Sequence, residues 1–330
     1  MNTVPDDSEE QVQAPIRIAF GPVPSRRLGR SLGVNNIPHK VCTYSCVYCQ
    51  VGRTLRFQVE PSRFYEPREV LQKVTEKVAD SGDPIDYLTF VPDGEPTLDA
   101  KIGETIERLK SLGIRIAVIT NATLIDREDV RAGLRAADWV SFKVDSVNEG
   151  TWRKVNRPHR RLSLQNILEG MLEFRKGYSG TLVTETMLVA GISDGEDNLR
   201  EIASFLARLR PRASYISIPT RPPAESWVVA PSEQNVARAH QILGQEVERV
   251  EYLIGYEGNA FAASGNPEED LLSITAVHPM QEQAVAALLG RTGAGWSVVR
   301  ELCDRGQLVE TEYAGKKFFL RAFSKNKEYA

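Results

Sequence analysis

The chain has 330 residues, 42% of them hydrophobic and 26% charged, with a net charge of −3. This is globular composition, long enough for one large core and a smaller domain, and its slight acidity excludes a wholly basic nucleic-acid binder. No apolar run reaches the length of a membrane span.

The opening stretch MNTVPDDSEEQVQAP has no basic residue and no apolar core, so it matches neither a signal peptide nor a transit peptide and reads as a disordered acidic tail. With thiols kept free, the expected location is a reducing cytoplasm. Two short β-like runs follow, Ile16–Phe20 and Leu32–Val34, around a basic loop punctuated by proline and glycine. The second leads into Cys42-Thr-Tyr-Ser-Cys46-Val-Tyr-Cys49, which gathers three of the four cysteines. Three soft thiolates on one short loop can hold three irons of a cubane iron–sulfur cluster and leave the fourth iron open for chemistry. Structural zinc is the alternative, with His39 as a fourth ligand; three clustered cysteines and a distant one make a poor disulfide framework.

A helix is expected from Pro67, with Val70, Leu71, Val74 and Val78 on one face and a Ser-Gly-Asp-Pro break after it. From there strands and helices alternate. The strands are Ile85–Val91, Ile114–Thr120, Trp139–Val144, Thr181–Val189 and Ser214–Pro219; the helices are Asp99–Leu112, Arg127–Ala137, Leu162–Lys176 and Glu196–Leu209. With Leu32–Val34 this makes six strands, and strict alternation implies a parallel sheet with right-handed crossovers. Periodicity leaves open whether that sheet is flat or curled. Ser232–Glu248 then reads as a helix, Glu251–Ile254 as a strand and the glycine-rich run 255–265 as a loop. Pro279–Gly290, Trp296–Arg305 and Leu308–Phe323 resemble helix, helix and β-hairpin, with Ala314-Gly315 as the turn and Cys303 as a core residue of the second helix. That order suggests a winged-helix-like domain.

Charge is uneven along the chain. Residues 21–68 carry eight Lys or Arg against Glu60 and Glu66, and Arg153, Lys154, Arg157, Arg160 and Arg161 form a second basic run free of acids. These are either solvated faces or, if both border one site, the mark of an anionic ligand.

The spacing C-x3-C-x2-C, with the aromatic Tyr48 just before the last cysteine, resembles the signature of the radical S-adenosylmethionine (SAM) superfamily. The resemblance implies an α/β fold, a partial (β/α)6 TIM-type barrel, with functional groups at the C-terminal ends of the strands. It divides the chain into a tail (1–15), the barrel (16–230), a helical and loop extension (231–275) and the winged-helix-like domain (276–330). It also implies a [4Fe–4S] cluster on Cys42, Cys46 and Cys49 and S-adenosyl-L-methionine on the open iron.

Pro92-Asp93-Gly94-Glu95-Pro96 stands where the superfamily carries a Gly-Gly-Glu-Pro-like motif. Gly94 permits close approach, backbone carbonyls there can receive the cofactor's ammonium, and Glu95 can add a carboxylate; Asp93 in place of the first glycine restricts the turn. Tyr48, Asn121, Lys143 and Asp145 complete the cofactor set, Asn121 and Asp145 suiting ribose hydroxyls and Lys143 a carboxylate. Helix capping is the competing role for Asn121. Glu185 stands where glycyl-radical activating enzymes tend to place an arginine on the cofactor carboxylate; being anionic it cannot serve, so Lys143 or Arg221 takes over. Ile218-Pro219-Thr220 can flank adenine, and Met187 reads as core.

Gly21-Pro-Val-Pro-Ser-Arg-Arg-Leu-Gly-Arg-Ser-Leu-Gly-Val and the cysteine loop together resemble the enzymes grouped with the wyosine tRNA-base synthases. Those carry a second cysteine triplet, and here only Cys303 remains, which argues against wyosine chemistry by the known route. The expected reaction is reductive cleavage of SAM to a 5′-deoxyadenosyl radical that abstracts hydrogen, with flavodoxin or ferredoxin as reductant. The substrate is RNA or another anionic molecule, or else a peptide, protein or small metabolite; a third reading is an iron–sulfur or zinc regulator that binds DNA.

Overall fold

The computed structural model describes residues 18–82, 84–254, 261 and 265–322. The expected acidic tail, the start of the first β-like run and most of the glycine-rich loop lie outside the described residues.

Strand β1 (Ala19–Ser25) and β2 (Gly29–Val34) form an antiparallel hairpin. The proline- and glycine-marked segment expected as a loop is therefore strand. It is tolerated because β1 is the edge of the sheet, where proline costs no ladder hydrogen bond. After β2 come a two-stranded parallel pair, β3 (Val41–Cys42) and β4 (Arg56–Phe57), and helix α1 (Pro67–Asp80). The alternation then runs β5 (Tyr87–Phe90), α2 (Ile102–Leu109), β6 (Arg115–Thr120), α3 (Glu128–Leu134) and β7 (Trp139–Lys143). It continues with α4 (Glu149–Asn156), α5 (Leu164–Lys176), β8 (Thr181–Met187), α6 (Glu196–Leu209), β9 (Ala213–Ser217), α7 (Glu233–Gly244) and β10 (Val250–Leu253).

All six expected parallel strands are present, side by side in chain order as β2-β5-β6-β7-β8-β9, with β10 added as a seventh parallel strand and β1 on the opposite edge. Helix α7 and β10 continue the pattern because Val236, Ala239, Ile242 and Leu243 give α7 an apolar face that joins the main core.

Because side chains alternate along a strand, the sheet has two distinct faces. Leu32, Leu88, Phe90, Val118, Val140 and Phe142 point to the helices and share one large core with Val74, Ile106, Phe174 and Leu206. The interleaved residues Ala117, Trp139, Val183, Ala213 and Tyr215 form a second, smaller cluster closed by Leu28 from the β1–β2 turn. The sheet curls around this inner set as a half-barrel, the partial TIM barrel expected. Each fully buried Leu or Phe contributes about 1.5–3 kcal/mol, so the outer core dominates stability and the inner face is left for polar groups.

The C-terminal part has its own core. Helix α8 (Pro267–Thr275), β11 (Met280–Gln281), α9 (Glu282–Thr292), α10 (Ser297–Asp304), β12 (Leu308–Tyr313) and β13 (Lys316–Arg321) enclose Leu271, Met280, Leu288, Leu302 and Phe319. The three strands pair antiparallel in the order β11-β13-β12. Helix α9 begins at Glu282 rather than Pro279 because Met280 and Gln281 pair with Phe319 and Phe318. At the hairpin turn Ala314 and Gly315 have φ of 49° and 70°, the two left-handed residues that a tight turn between twisted strands requires. This unit leans on the barrel through Lys77 Nζ to Asp270 Oδ1 at 3.7 Å, Gln50 Nε2 to Val277 O at 3.1 Å and Tyr313 OH to Pro219 O at 3.2 Å.

Candidate active site

The cysteine loop is strung between β3 and β4. Two i+3 turns shape it, with Cys49 N donating to Cys46 O and Gly52 N to Cys49 O, each at 3.1 Å. The residues between the cysteines anchor it. Tyr44 OH accepts from Trp152 Nε1 at 2.6 Å, and Val47 is fully buried against Val155, Val189 and Val228. The backbone is stitched to the chain leaving α4, by Ser45 N to Asn156 O at 3.1 Å, Val47 N to Val155 O at 3.0 Å and His159 N to Thr43 O at 2.9 Å. Anchors thus alternate with the cysteines, and Cys42, Cys46 and Cys49 are free thiols, partly accessible as whole residues.

Burial pushes the Cys42 thiol up to about 12, helped by the Glu95 charge, and burial with the Asp145 charge pushes Cys46 up further; in both, the neighbouring cysteines add to the rise. Metal binding at these two thiols must therefore release their protons. The zinc alternative would need His39 as its fourth ligand. His39 gives Nδ1 to Asp93 Oδ2, and among the described residues no three His, Cys, Asp or Glu side chains converge as the ligands of a single ion do.

The strand ends bring the other expected residues around this loop. Gly94 follows β5, and a Cβ there would lie 2.0 Å from Val41 O, so glycine lets the turn after β5 press against the cysteine strand. Glu95 N donates to Val41 O at 3.1 Å. Its buried carboxylate accepts at Oε1 from Thr97 N, Thr97 Oγ1 and Thr120 Oγ1 at 3.0, 2.6 and 2.5 Å, and at Oε2 from Asn121 N at 2.8 Å. Burial raises the Glu95 acid, and these bonds offset part of that rise. Glu95 thereby locks the ends of β5 and β6 together. Asn121 sends Nδ2 to Thr43 Oγ1 at 2.8 Å and towards Cys42 Sγ at 3.7 Å.

Lys143, Asp145 and Glu185 form one buried network on the inner face. Lys143 Nζ is 3.2 Å from Glu185 Oε1 and 3.3 Å from Asp145 Oδ1, and lies over the Tyr48 ring. Asp145 Oδ2 accepts from Tyr48 OH and, at 2.7 Å, from Asn156 Nδ2. Arg27, reaching in from the β1–β2 turn, meets Glu185 Oε2 at 2.6 Å. Burial alone would raise the Glu185 acid, but the charges of Lys143 and Arg27 outweigh it and hold it at about 2. A continuous polar line therefore runs from Arg27 at one end of the half-barrel to the cysteines at the other.

A family model described as Radical SAM superfamily matches residues 36–206, the span from the cysteine loop through α6. The chain belongs to the radical SAM superfamily. A UPF0026 protein of Methanocaldococcus jannaschii is 45% identical over 307 residues, 92% of this chain and 96% of that one. A radical SAM methyltransferase from Sphaerobacter thermophilus shares the fold, with a TM-score of 0.51 at 17% identity over 68% of this chain and 66% of that chain. More distantly, an S-adenosylmethionine-dependent nucleotide dehydratase of Flammeovirga pacifica is 25% identical over 162 residues, 46% of this chain and 54% of that one.

Radical SAM enzymes use a [4Fe–4S] cluster and S-adenosyl-L-methionine, and the residues present suit both. Three soft sulfurs on one short loop suit a cluster with an open iron. The strand-end amide, ammonium and carboxylates above form a polar cradle beside it. Lys143 is already committed to Glu185 and Asp145. Arg221 lies instead at the junction with the C-terminal unit, NH1 to Gln50 Oε1 at 2.8 Å and NH2 to His278 Nε2 at 3.0 Å. Met187 packs beside Val47 and Tyr48, and Cys303 against the C-terminal core. Asn156 and Trp152 escaped the sequence reading and reach the site through contacts across 108 residues. Arg27 and Lys40 stood in the basic run 21–68 without an assigned role, and Arg27 meets Glu185 across 158 residues.

Among the described residues no helix is long and apolar enough to cross a membrane.

Proposed function

We propose that this radical SAM enzyme acts on RNA. When bound, the cluster and SAM supply a 5′-deoxyadenosyl radical, and the protein's part is to orient both, exclude water and present the hydrogen to be abstracted. The observation that carries the RNA reading is where the two basic runs meet. Arg53 of the first grips Glu225 through Nε and NH2 at 2.8 and 2.9 Å, and Arg157 of the second reaches the same carboxylate at 2.5 Å. Glu225 N in turn donates to Val47 O at 3.1 Å, which places this basic surface against the cysteine loop. Phe57, Trp227 and Leu55 are exposed large apolar residues from the same segments, and cations with exposed aromatic rings suit phosphates and unstacked bases. The nucleotide substrate named for the Flammeovirga relative supports a nucleotide-bearing substrate here.

Several further assignments belong to this reading. The C-terminal element order, helix, strand, helix, helix and hairpin, supports a winged-helix-like domain that assists RNA docking. The expected division at about residues 15, 230 and 275 is kept as a proposal, with a flavodoxin or ferredoxin as reductant and the cytoplasm as location. Tyr48, Gly94, Glu95, Asn121, Lys143, Asp145 and Glu185 are proposed to hold SAM, directly or by fixing one another, and Cys42, Cys46 and Cys49 to hold the cluster.

The test is filter retention of bulk tRNA by anaerobically reconstituted protein across a salt series. Retention that falls steeply with salt, and at least tenfold on combining R157E, R160E and R161E, supports an RNA substrate. No retention at low salt overturns it and leaves a peptide, protein or small metabolite as substrate.

A further inference from the structure

Three nitrogen donors, each from a different part of the chain, face the three sulfurs. Asn121 Nδ2 lies 3.7 Å from Cys42 Sγ, Asn156 Nδ2 3.5 Å from Cys46 Sγ and Lys40 Nζ 3.5 Å from Cys49 Sγ. Of the three, Lys40 alone is charged.

Lys40 is held with unusual firmness. Its φ is 56°, in the left-handed region that non-glycine residues rarely occupy and that persists only where surrounding structure enforces it. Its carbonyl accepts from both Leu55 N and Arg56 N at 3.2 Å, and its Nζ donates to Gly52 O at 2.6 Å. The residue is 3% exposed. Among the described residues no carboxylate comes within ion-pair distance of it, although Arg53, Arg157, Lys143 and Lys77 each have one. A buried ammonium held only by a carbonyl is costly, and an anion brought beside it offsets that cost. A thiolate-bound cluster would be such an anion, and Cys49 Sγ is the sulfur that Lys40 Nζ faces.

We propose that Lys40 is the cluster's built-in counter-cation and sets its reduction potential. Reduction adds one electron to the cluster from a one-electron donor, dithionite in the test, with no bond made or broken and no proton moved. A fixed positive charge and an N–H donor at Cys49 Sγ stabilise the reduced form more than the oxidised form, because the reduced form carries one more negative charge. The inference rests on membership of the radical SAM superfamily and is independent of the RNA reading, since the test uses no substrate.

The experiment is an EPR-monitored redox titration of reconstituted wild type, K40R and K40Q, each first assayed for iron and sulfide. Glutamine can still donate to Gly52 O, so the loop keeps its tie while the charge is lost. At one poised potential K40Q is expected to show a reduced-to-oxidised ratio at least tenfold below wild type, a midpoint lower by about 59 mV for a one-electron couple. K40R is expected within threefold of wild type. Equal ratios in K40Q and wild type, with equal cluster content, overturn the proposal. Should K40Q fail to hold the cluster, protein labelled with [15N]lysine decides. A 15N coupling in pulsed EPR of the reduced wild-type cluster, absent from labelled K40R, sustains the assignment, and identical spectra from the two overturn it.

Discussion

Lys143 and Glu185 are register partners on adjacent parallel strands, and their Nζ and Oε1 meet 3.2 Å apart on the inner face of the half-barrel. The pairing fixes the position of Lys143 beneath Tyr48 and hence beneath the cysteine loop. Glu185 Oε1 also accepts from Ser217 Oγ at 3.0 Å, so strands β7, β8 and β9 share one carboxylate.

Replacing Glu185 with Gln leaves the Lys143 and Arg27 charges buried with one counter-ion fewer, and is expected to destabilise the protein by about 3 kcal/mol in urea unfolding. Glu185→Asp keeps the charge beside Arg27 and Lys143 and is expected to lose clearly less than E185Q. An E185D variant no more stable than E185Q speaks against the interaction being electrostatic.

The same residue predicts acid behaviour. Glu185 is held at about 2, below its ordinary 4.5, so the folded state keeps it ionised where the unfolded chain would take up a proton. Its contribution is complete above about pH 4.5 and fades as pH falls towards 2. The stability gap between wild type and E185Q should therefore close over that window, as read from urea midpoints; a gap unchanged at pH 3 contradicts the assignment.

Gly94→Ala is expected to empty the cluster site while leaving the half-barrel folded. The added methyl would have to displace Val41 O from 2.0 Å, moving the strand that carries Cys42. Iron content after reconstitution should fall several-fold with little change in far-UV circular dichroism. Normal iron content in the variant rules out the close approach as the reason for glycine.

Trp152→Phe keeps the buried ring and removes one hydrogen bond, so its stability cost should be about 1 kcal/mol, with Tyr44 left to find another donor. Because Tyr44 anchors the loop between Cys42 and Cys46, the loss should show as faster cluster release on chelator challenge. Unchanged release kinetics detach the anchor from cluster retention.

Cys42 adds an alkaline prediction. In the cluster-free protein its thiol is raised from 9.0 to about 12, so the folded state favours the neutral thiol. That preference is fully present below pH 9 and is lost as pH rises towards 12, so the advantage of cluster-free wild type over C42D should shrink with rising pH in that range. A difference that stays level from pH 8 to 11 refutes it.

Much of this protein is written locally. The short apolar runs that hold Leu88, Phe90, Val118, Val140 and Phe142, alternating with helical faces, imply a parallel α/β sheet, because a strand buried on both faces needs apolar residues throughout. The triplet Cys42, Cys46 and Cys49 points to metal chemistry, since three thiols within one short loop need no distant residue to act together. Even the anchors Tyr44 and Val47 stand between the cysteines in the text, although nothing local says what they would touch.

What the sequence alone leaves undecided is which side chains share an electrostatic environment. In the text Glu185 is an anion that cannot serve a cofactor carboxylate, and only the fold shows Arg27, 158 residues earlier, paired with it. Helix α8 and the pairing of Met280 with Phe319 are likewise set by contacts with the C-terminal core. Lys40 is a plain basic residue in the text, and only the fold buries it with no carboxylate in ion-pair reach among the described residues and turns Nζ to Gly52 O and Cys49 Sγ. Periodicity and ligand spacing are properties of neighbours in the chain and so belong to the sequence; desolvation and charge pairing are properties of neighbours in space, and the tertiary structure decides them.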